Sequence, residues 1–423
     1  MQAEPVSDPD FEAAAVHPSG PALVLGPAGS GRSEAIVRRF AALSATGLAP
    51  ERIAVLTHGL AAAADLRARI ESGLDVPYEE LWIQTFPQLA ERLLRDYALE
   101  AGIDPFFEVA GPADRLAILL ERLDDLPLRR HEIRGNPAGL LARLLERIDV
   151  LKAEGVGPAE LRDHARRAER GAMERATREA ALRELEFADL FERHDAIMLD
   201  RGAIDEPELI LELGRLLNRR PDISTTIGER FPQLMIDELE DASRARSGLL
   251  ALLAPHGNVF AACDPDQGVH AYRFCGEAAA ARFDAAYPDA GRYELRGRRR
   301  NSAGPGAVAA AVAALVPGEY RACGLTGTGG STDANGDAAA QPTLADTPRT
   351  APPTASGSDV RLWRCANERA QAQAVAREIE HLLAAGTATA AQVCVITGPA
   401  GREGRLVTAA LEERSVPFRM VSA

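Results

Sequence analysis

Short, wholly apolar runs alternate along the first hundred residues with stretches in which apolar residues recur every three or four positions. Ala22-Leu-Val-Leu25 is such a run and ends in a glycine-rich turn; Ile36, Val37, Phe40 and Ala41 then repeat at helical spacing. Arg52–Thr57 reads as a second strand, followed by an alanine-rich helix to Ile70, and Leu81–Phe86 as a third. Buried strands alternating with amphipathic helices predict a mainly parallel sheet covered by helices on both faces, an α/β fold. From Pro105 to Arg220 the pattern changes to Leu, Ala, Arg and Glu with apolar pairs three or four apart, as in Leu116–Leu120 and Leu140–Leu145, which predicts a helical insert. Strands return at Gln233–Asp237 and Asn258–Asp264.

The segment from Gly318 to Asp359 is rich in Gly, Thr, Ala, Pro and Asp and almost free of large apolar residues. It buries too little to fold alone and reads as a linker. After it, Val360–Trp363 is expected to be a strand, Ala370–Ala384 a helix, Gln392–Thr397 a buried strand and Arg405–Glu413 a helix. The expected division is a loose tail over 1–10, a first domain over 11–105 and 221–316, a helical insert over 106–220, a linker over 317–359 and the beginning of a second α/β domain over 360–423.

The chain of 423 residues has apolar content enough for more than one core, at 46%. It holds no run of the roughly 18 uncharged apolar residues that a membrane span needs, and its first ten residues lack the pattern of a signal peptide. A cytoplasmic protein with no membrane partner is expected. The five cysteines are scattered without a CxxC spacing, which argues against a disulfide framework or a zinc site. A net charge of −14 argues against a protein that coats nucleic acid indiscriminately, but leaves room for a local basic groove. Lys152 is the only lysine, so 47 of the 48 basic residues are arginine, and a motif that ordinarily carries lysine is expected to carry arginine here.

Two segments carry the candidate chemistry. Gly26-Pro27-Ala28-Gly29-Ser30-Gly31-Arg32-Ser33 lies between a strand and a helix with the spacing of a phosphate loop, G-x-x-x-x-G-K-[ST], and Arg32 stands at the lysine position. The glycines let backbone N–H groups face phosphate oxygens, the helix start adds its dipole, and Ser33 is a candidate Mg²⁺ ligand. A plain glycine-rich turn is the alternative. Leu234-Met-Ile-Asp237-Glu238-Leu-Glu240-Asp241 is an apolar strand ending in acids. Asp237 is placed to join the Mg²⁺ shell and Glu238 to orient and deprotonate water. A solvated acidic cap is the alternative, and the phosphate loop upstream tips the reading toward nucleotide hydrolysis.

With both segments in place the chain resembles the UvrD/Rep-type superfamily 1 DNA helicases. Further segments match in order. Val55–Ile70 resembles the threonine-led segment near single-stranded DNA, and Thr85-Phe86-Pro87-Gln88-Leu89-Ala90 a Thr-Phe-His segment with Pro87 for histidine. Asp237–Asp241 resembles D-E-x-Q-D with Glu240 for glutamine, Asp264–Arg273 the segment G-D-x-x-Q-x-I-Y-x-[FW]-R, and Leu295–Ser302 a fourth motif best matched at Arg300. The resemblance implies a RecA-like P-loop NTPase with the start of a second RecA-like domain, using ATP and Mg²⁺. It implies that Gln267 and Arg273 touch the γ-phosphate, that Arg300 acts as an arginine finger, and that Thr57, Thr85, Phe86 and Tyr272 contact single-stranded DNA, with Tyr272 stacking on a base.

The departures are Arg32, Glu240, Pro87, Cys263 for a glycine, His270 for an aromatic, Arg299 for a stacking tyrosine and the missing N-terminal glutamine, whose place is nearest Glu12. Two further family motifs would lie past Ala423. Arginine richness and these departures add a narrower resemblance, to actinobacterial two-motor helicase–nucleases of AdnAB or RecB type, which implies a second motor or nuclease subunit as partner. Two other readings are a weakened motor that binds DNA or a partner motor without hydrolysing ATP, and a different P-loop ATPase, against which the Gln267–Arg273 segment speaks.

Overall fold

The computed structural model describes residues 9–131, 135–264, 267, 279–295, 363–397 and 402–420. The chain divides into two compact units, one holding the described residues up to 295 and the other those from 363 onward.

The first unit is built on a parallel sheet of six strands: β1 (Ala22–Leu25), β2 (Ile53–Thr57), β3 (Trp82–Thr85), β6 (Gln233–Ile236), β7 (Val259–Cys263) and β8 (Gly291–Glu294), in the order β3-β2-β6-β7-β1-β8. β4 (Glu108–Ala110) and β5 (Ala203–Asp205) form a separate parallel pair. The central strands β1, β2, β6 and β7 are buried along their whole length because both faces are covered, whereas the edge strand β8, Gly-Arg-Tyr-Glu, alternates half-buried and exposed positions. Successive side chains alternate between two cores. Ala22, Val24, Ile53, Val55, Met235 and Phe260 face the helices α1 (Pro9–Ala15), α2 (Arg32–Ala45) and α3 (Leu60–Gly73). Leu23, Leu25, Leu56, Trp82, Ile236 and Ala261 face the other way. There they meet α4 (Phe86–Asp96), α10 (Glu206–Arg219), α11 (Pro221–Arg230), α12 (Arg244–Leu253) and α13 (Ala279–Ala286). This is the RecA-like arrangement. The loose tail expected over 1–10 gives way to α1 from Pro9, because Phe11 is buried and Asp10 accepts a hydrogen bond from the Glu294 backbone N–H.

Between α4 and α10, after the short helix α5 (Ala98–Ala101), the chain makes α6 (Pro112–Glu121), α7 (Pro137–Ala153), α8 (Pro158–Gly171) and the 26-residue α9 (Arg175–Asp200). These four have an apolar core of their own, with Leu119, Leu141, Ile148, Phe187 and Phe191 at its centre. Helix α10 ends the insert in sequence, yet Leu209, Leu213 and Leu216 lie in the core of the sheet, so it anchors the insert to the sheet.

The junction carries an ionic cluster whose centre, Lys152, Arg115, His194 and Asp205, is buried, with Asp149, Asp195 and Glu208 partly exposed at its rim. Lys152 Nζ, on α7, lies 2.8 Å from carboxylate oxygens of Asp195, Asp205 and Glu208. Arg115 reaches Asp149 at 2.6 Å and Asp205 at 3.7 Å, and His194 bonds Asp195 and Arg115. Asp205 also caps α10 by accepting from the Glu208 N–H. His194, Asp195 and Asp205 have the grouping of a cation site, and the ammonium of Lys152 is the cation that fills it.

In the second unit the helices Glu368–Ala384 and Arg402–Glu412 share a small core of Ala372, Ala376, Ile379, Ala410 and Leu411. The buried strand expected over Gln392–Thr397 is not present among the described residues. Ala390–Gln392 is a single turn of 3₁₀ helix, and 393–397 has no regular structure and no ladder partner among the described residues, with Ile396 91% exposed. An apolar run becomes a buried strand only when a neighbour pairs with it. Of the strand expected over Val360–Trp363, only Trp363 lies within the described residues, and it is not in a strand.

Lys152→Met removes one charge from a buried group of three carboxylates. It is expected to destabilise the first unit by about 3–5 kcal/mol, the cost of breaking a buried ion pair from one side. Equilibrium urea denaturation followed by circular dichroism measures it, and a loss below about 1 kcal/mol would show that the cluster is hydrated and not structural.

Candidate functional site

The site forms at the C-terminal ends of β1, β6 and β7, where an open parallel sheet offers a crevice. β1 stops at Leu25, and Gly26 N–H still bonds Cys263 O at 3.3 Å, so the loop leaves the sheet under restraint from β7. Glycine is required at Gly26 by close approach: a methyl group there would run into Ser30 Oγ and lie 2.9 Å from Leu295 Cβ. Gly29 and Gly31 have φ of 79° and 103°, a conformation that other residues rarely adopt. Ser30 N–H bonds Pro27 O at 3.0 Å, closing the turn, and α2 begins at Arg32. Ser30 Oγ is buried without a hydrogen-bond partner. The loop over Gly26, Pro27, Ala28, Gly29, Ser30 and Gly31 therefore delivers Arg32 and Ser33 to the first turn of a helix.

Order β6-β7-β1 puts one strand between the loop and the acidic strand end, and the side chains bridge that gap. Ser33 Oγ donates to Asp237 Oδ2 at 2.6 Å. A hydroxyl and a carboxylate this close are the donor types that Mg²⁺ takes beside phosphate oxygens, so the residues present fit that ion. Asp237 N–H bonds Leu56 O at 2.9 Å, which extends the β2–β6 pairing and fixes the side chain. Burial pushes the Asp237 carboxyl up, against the opposing pull of the Ser33 bond and the Arg32 charge.

Glu238 follows with φ 58°, a left-handed conformation that costs a residue with a Cβ about 1–2 kcal/mol and turns its carboxylate back toward β2. There Thr57 Oγ1 donates to Glu238 Oε2 at 3.0 Å. Burial first, then the charge of Asp237, raise the Glu238 carboxyl, the direction that suits a general base.

The third acid, Glu240, is engaged on both oxygens. Arg32 Nη1 donates to Oε1 at 3.1 Å and the Asp264 N–H to Oε2 at 3.0 Å. Arg32 Nη2 lies 3.7 Å from Asp264 Oδ2. Burial pushes Glu240 up to about 7, with Arg32 opposing. Gln267 Nε2 donates to Asp264 Oδ2, so Gln267 belongs to the same constellation. Arg273, Arg300 and Tyr272 lie outside the described residues.

Thr57, Thr85 and Phe86 were expected to face a DNA strand, and all three are buried. Thr57 and Thr85 are paired residues at the ends of neighbouring strands. Thr85 caps α4, accepting from Gln88 N–H while its own N–H is held by the Gln88 side chain. Phe86 turns into the core as the first residue of α4, and the Arg246 guanidinium lies 5.8 Å above its ring. Pro87 at the helix start needs no backbone partner, so this segment is built as a helix cap. The contact of Thr57 with Glu238 was not anticipated. Its signal is the register: Leu56 is opposite Ile236, which brings Thr57 beside the acids that follow β6.

A glycine-rich loop at a helix start, facing an Asp-Glu strand end across a parallel sheet, defines a P-loop nucleotide site of the RecA-like class. The family model described as the UvrD/REP helicase N-terminal domain matches residues 7–288, and the chain belongs to that family. It is 25% identical over 417 residues to the DNA helicase II of Escherichia coli K12, covering 98% of this chain and 51% of that protein. It is 28% identical over 262 residues to the DNA helicase II of Haemophilus influenzae, covering 60% and 33%, and 26% identical over 273 residues to the ATP-dependent DNA helicase PcrA of Bacillus subtilis 168, covering 64% and 34%. The chain thus spans about half the length of these relatives or less.

Burial of Glu240 has a consequence for stability. Its folded pKa, about 7, lies above the ordinary 4.5, so the folded state binds the proton more tightly than the unfolded chain. The stability it contributes is complete below about pH 4.5 and is lost as pH rises to about 7. Glu240→Gln removes this dependence. Its melting temperature is expected to exceed the parent's at about pH 8 and to converge with it at about pH 5, and a difference constant across that range would contradict the burial.

Proposed function

We propose that the chain is the N-terminal part of a UvrD/Rep-type ATP-dependent DNA helicase. In this reading a first motor domain, from 11–105 and 221–316, carries a helical insert over 106–220, and a linker over 317–359 leads to the beginning of a second motor domain over 360–423. The observation that carries the proposal is the 2.6 Å contact of Ser33 with Asp237, which unites the loop and the acidic strand end in one site. The loop holds the phosphates of ATP through its N–H groups and Arg32. Ser33 and Asp237 hold Mg²⁺, which neutralises phosphate charge. Glu238 orients a water and takes its proton, with Thr57 fixing the carboxylate. Gln267 and Arg273 contact the γ-phosphate and Arg300 supplies a second guanidinium in the transition state, as the resemblance implies.

Single-stranded DNA is the proposed track, crossing the strand ends above Thr57, Thr85 and Phe86, with Tyr272 as the stacking residue. The names of the Escherichia coli and Bacillus subtilis relatives support DNA as the polymer. No described helix is long and apolar enough to cross a membrane; work in the cytoplasm is part of the proposal. A second reading draws on the Arg32–Glu240 pair: a weakened motor that binds ATP without hydrolysing it and serves as a DNA-binding or partner-binding subunit beside a second motor or nuclease subunit. A misplacement near 1 Å costs about a hundredfold in rate, and arginine at Arg32 does not reproduce a compact ammonium.

ATP turnover with and without single-stranded DNA tests both, read on this chain and on one extended past Ala423 to include the remainder of the second motor domain, the extended chain deciding between them. Stimulation by DNA, abolished by Glu238→Gln while ATP still binds, is the result expected of a motor. Binding without turnover supports the second reading, and absence of ATP binding contradicts both. Tyr272→Ala is expected to weaken binding of a single-stranded oligonucleotide by about 1–3 kcal/mol, measured by fluorescence anisotropy; unchanged affinity would remove Tyr272 from the track.

A further inference from the structure

The two departures from the family pattern that bear most directly on chemistry, Arg32 and Glu240, are 208 residues apart in sequence and touch in the fold. Their side chains are 14% and 5% exposed. The guanidinium stands at the mouth of the loop, on the first residue of α2, where an incoming phosphate has to arrive. Both terminal nitrogens already face carboxylates, Nη1 toward Glu240 at 3.1 Å and Nη2 toward Asp264 at 3.7 Å. Glu240 is held from behind by the Asp264 N–H, so the acceptor is fixed and not a surface chain that drifts away. The carboxylate thus occupies the hydrogen-bonding position that a phosphate oxygen takes on a P-loop cation, with matching charge and donor geometry.

We propose that Glu240 is a built-in phosphate mimic: its carboxylate holds the Arg32 guanidinium while the site is free of nucleotide, and the polyphosphate of ATP has to displace it. The proposal rests on the nucleotide-binding reading of this site. It accounts for the two departures together. Arginine, with a long stem and two terminal donors, reaches an acid beside the strand end, and glutamate supplies the charge that a glutamine lacks. Asp237, Glu238, Asp241 and Asp264 lie at the same strand ends, so a polyphosphate arriving while Glu240 still holds Arg32 meets several other acids. Exchange of one anion for the other is the route that keeps the guanidinium paired throughout. Its consequence is a nucleotide affinity lowered by the strength of the internal ion pair, about tenfold for a charge-assisted hydrogen bond.

The test is isothermal titration calorimetry of the chain with Mg·ATP at about pH 8, where Glu240 is ionised. Glu240→Gln removes the charge; Glu240→Asp keeps it but draws the carboxylate back by one methylene from the guanidinium. Both variants are expected to bind Mg·ATP about tenfold more tightly than the parent, because both release Nη1 of Arg32 from the Glu240 carboxylate. A gain in Glu240→Gln without one in Glu240→Asp would mean that charge repulsion, not capture of Arg32, sets the affinity, and would overturn the proposal. So would weaker or unchanged binding by Glu240→Gln. Uptake by the parent with no gain in the variants sinks the mimic and leaves the nucleotide site standing, whereas no uptake by any of the three proteins sinks both.

Discussion

The hydrogen bond from Ser33 to Asp237 crosses the width of a strand, and the rest of the first unit is arranged so that it can. β7 lies between β1 and β6, so the two side chains meet only if the strand ends lie close in level and the two loops lean toward each other. Parallel pairing sets the levels: Leu25 is opposite Cys263 at the end of β7, and Ile236 is opposite Ala261, two residues earlier. Two apolar cores, one on each face, hold the strands in that register, since a slip by one residue would turn each strand's core side chains to the wrong face. The glycines then bring the loop back over the sheet end.

Charge is the second organising fact. Acids outnumber bases at the strand ends, and the three that follow β6 at Asp237, Glu238 and Glu240 are tied to different donors: Asp237 to Ser33, Glu238 to Thr57, Glu240 to Arg32 and to the Asp264 N–H. Burial raises all three carboxyls, and the separate donors let them coexist. The junction of the insert solves the same problem differently. There several acids share one ammonium, and the only lysine of the chain is spent inside the protein, where its compact head sits among three oxygens at 2.8 Å. A forked guanidinium does not fit that centre as a point charge does, which gives a physical reason for the exception in an arginine-rich chain.

Five strands of the parallel sheet were legible because they are largely apolar on both faces and the helices between them carry a three-to-four spacing; the edge strand β8, Gly-Arg-Tyr-Glu, was not, because its residues are polar and only half buried. The loop and the acidic strand end were legible because glycine spacing and an Asp-Glu pair after an apolar run have few other uses. What escaped depended on register and on partners. Thr57 and Thr85 look alike in sequence, a threonine closing a strand, yet one holds a catalytic candidate and the other caps a helix. The run Gln392–Thr397 has the composition of a buried strand and has no ladder partner among the described residues, and composition does not encode partners. The pairing of Arg32 with Glu240 is likewise a matter of three-dimensional neighbourhood: each reads as a defect alone and as half of a contact together.

The central claim is that one divalent cation and one polyphosphate sit between the loop and the acidic strand end. A crystal structure of the protein with Mn²⁺ and a non-hydrolysable ATP analogue tests it directly, because Mn²⁺ takes the same oxygen ligands as Mg²⁺ and is located by its anomalous scattering. The account predicts an anomalous peak between Ser33 Oγ and Asp237, within coordination reach of both, beside phosphates cradled by Gly29, Ser30 and Gly31. A nucleotide bound elsewhere, or a Ser33–Asp237 bond left intact with the metal on other residues, would contradict it.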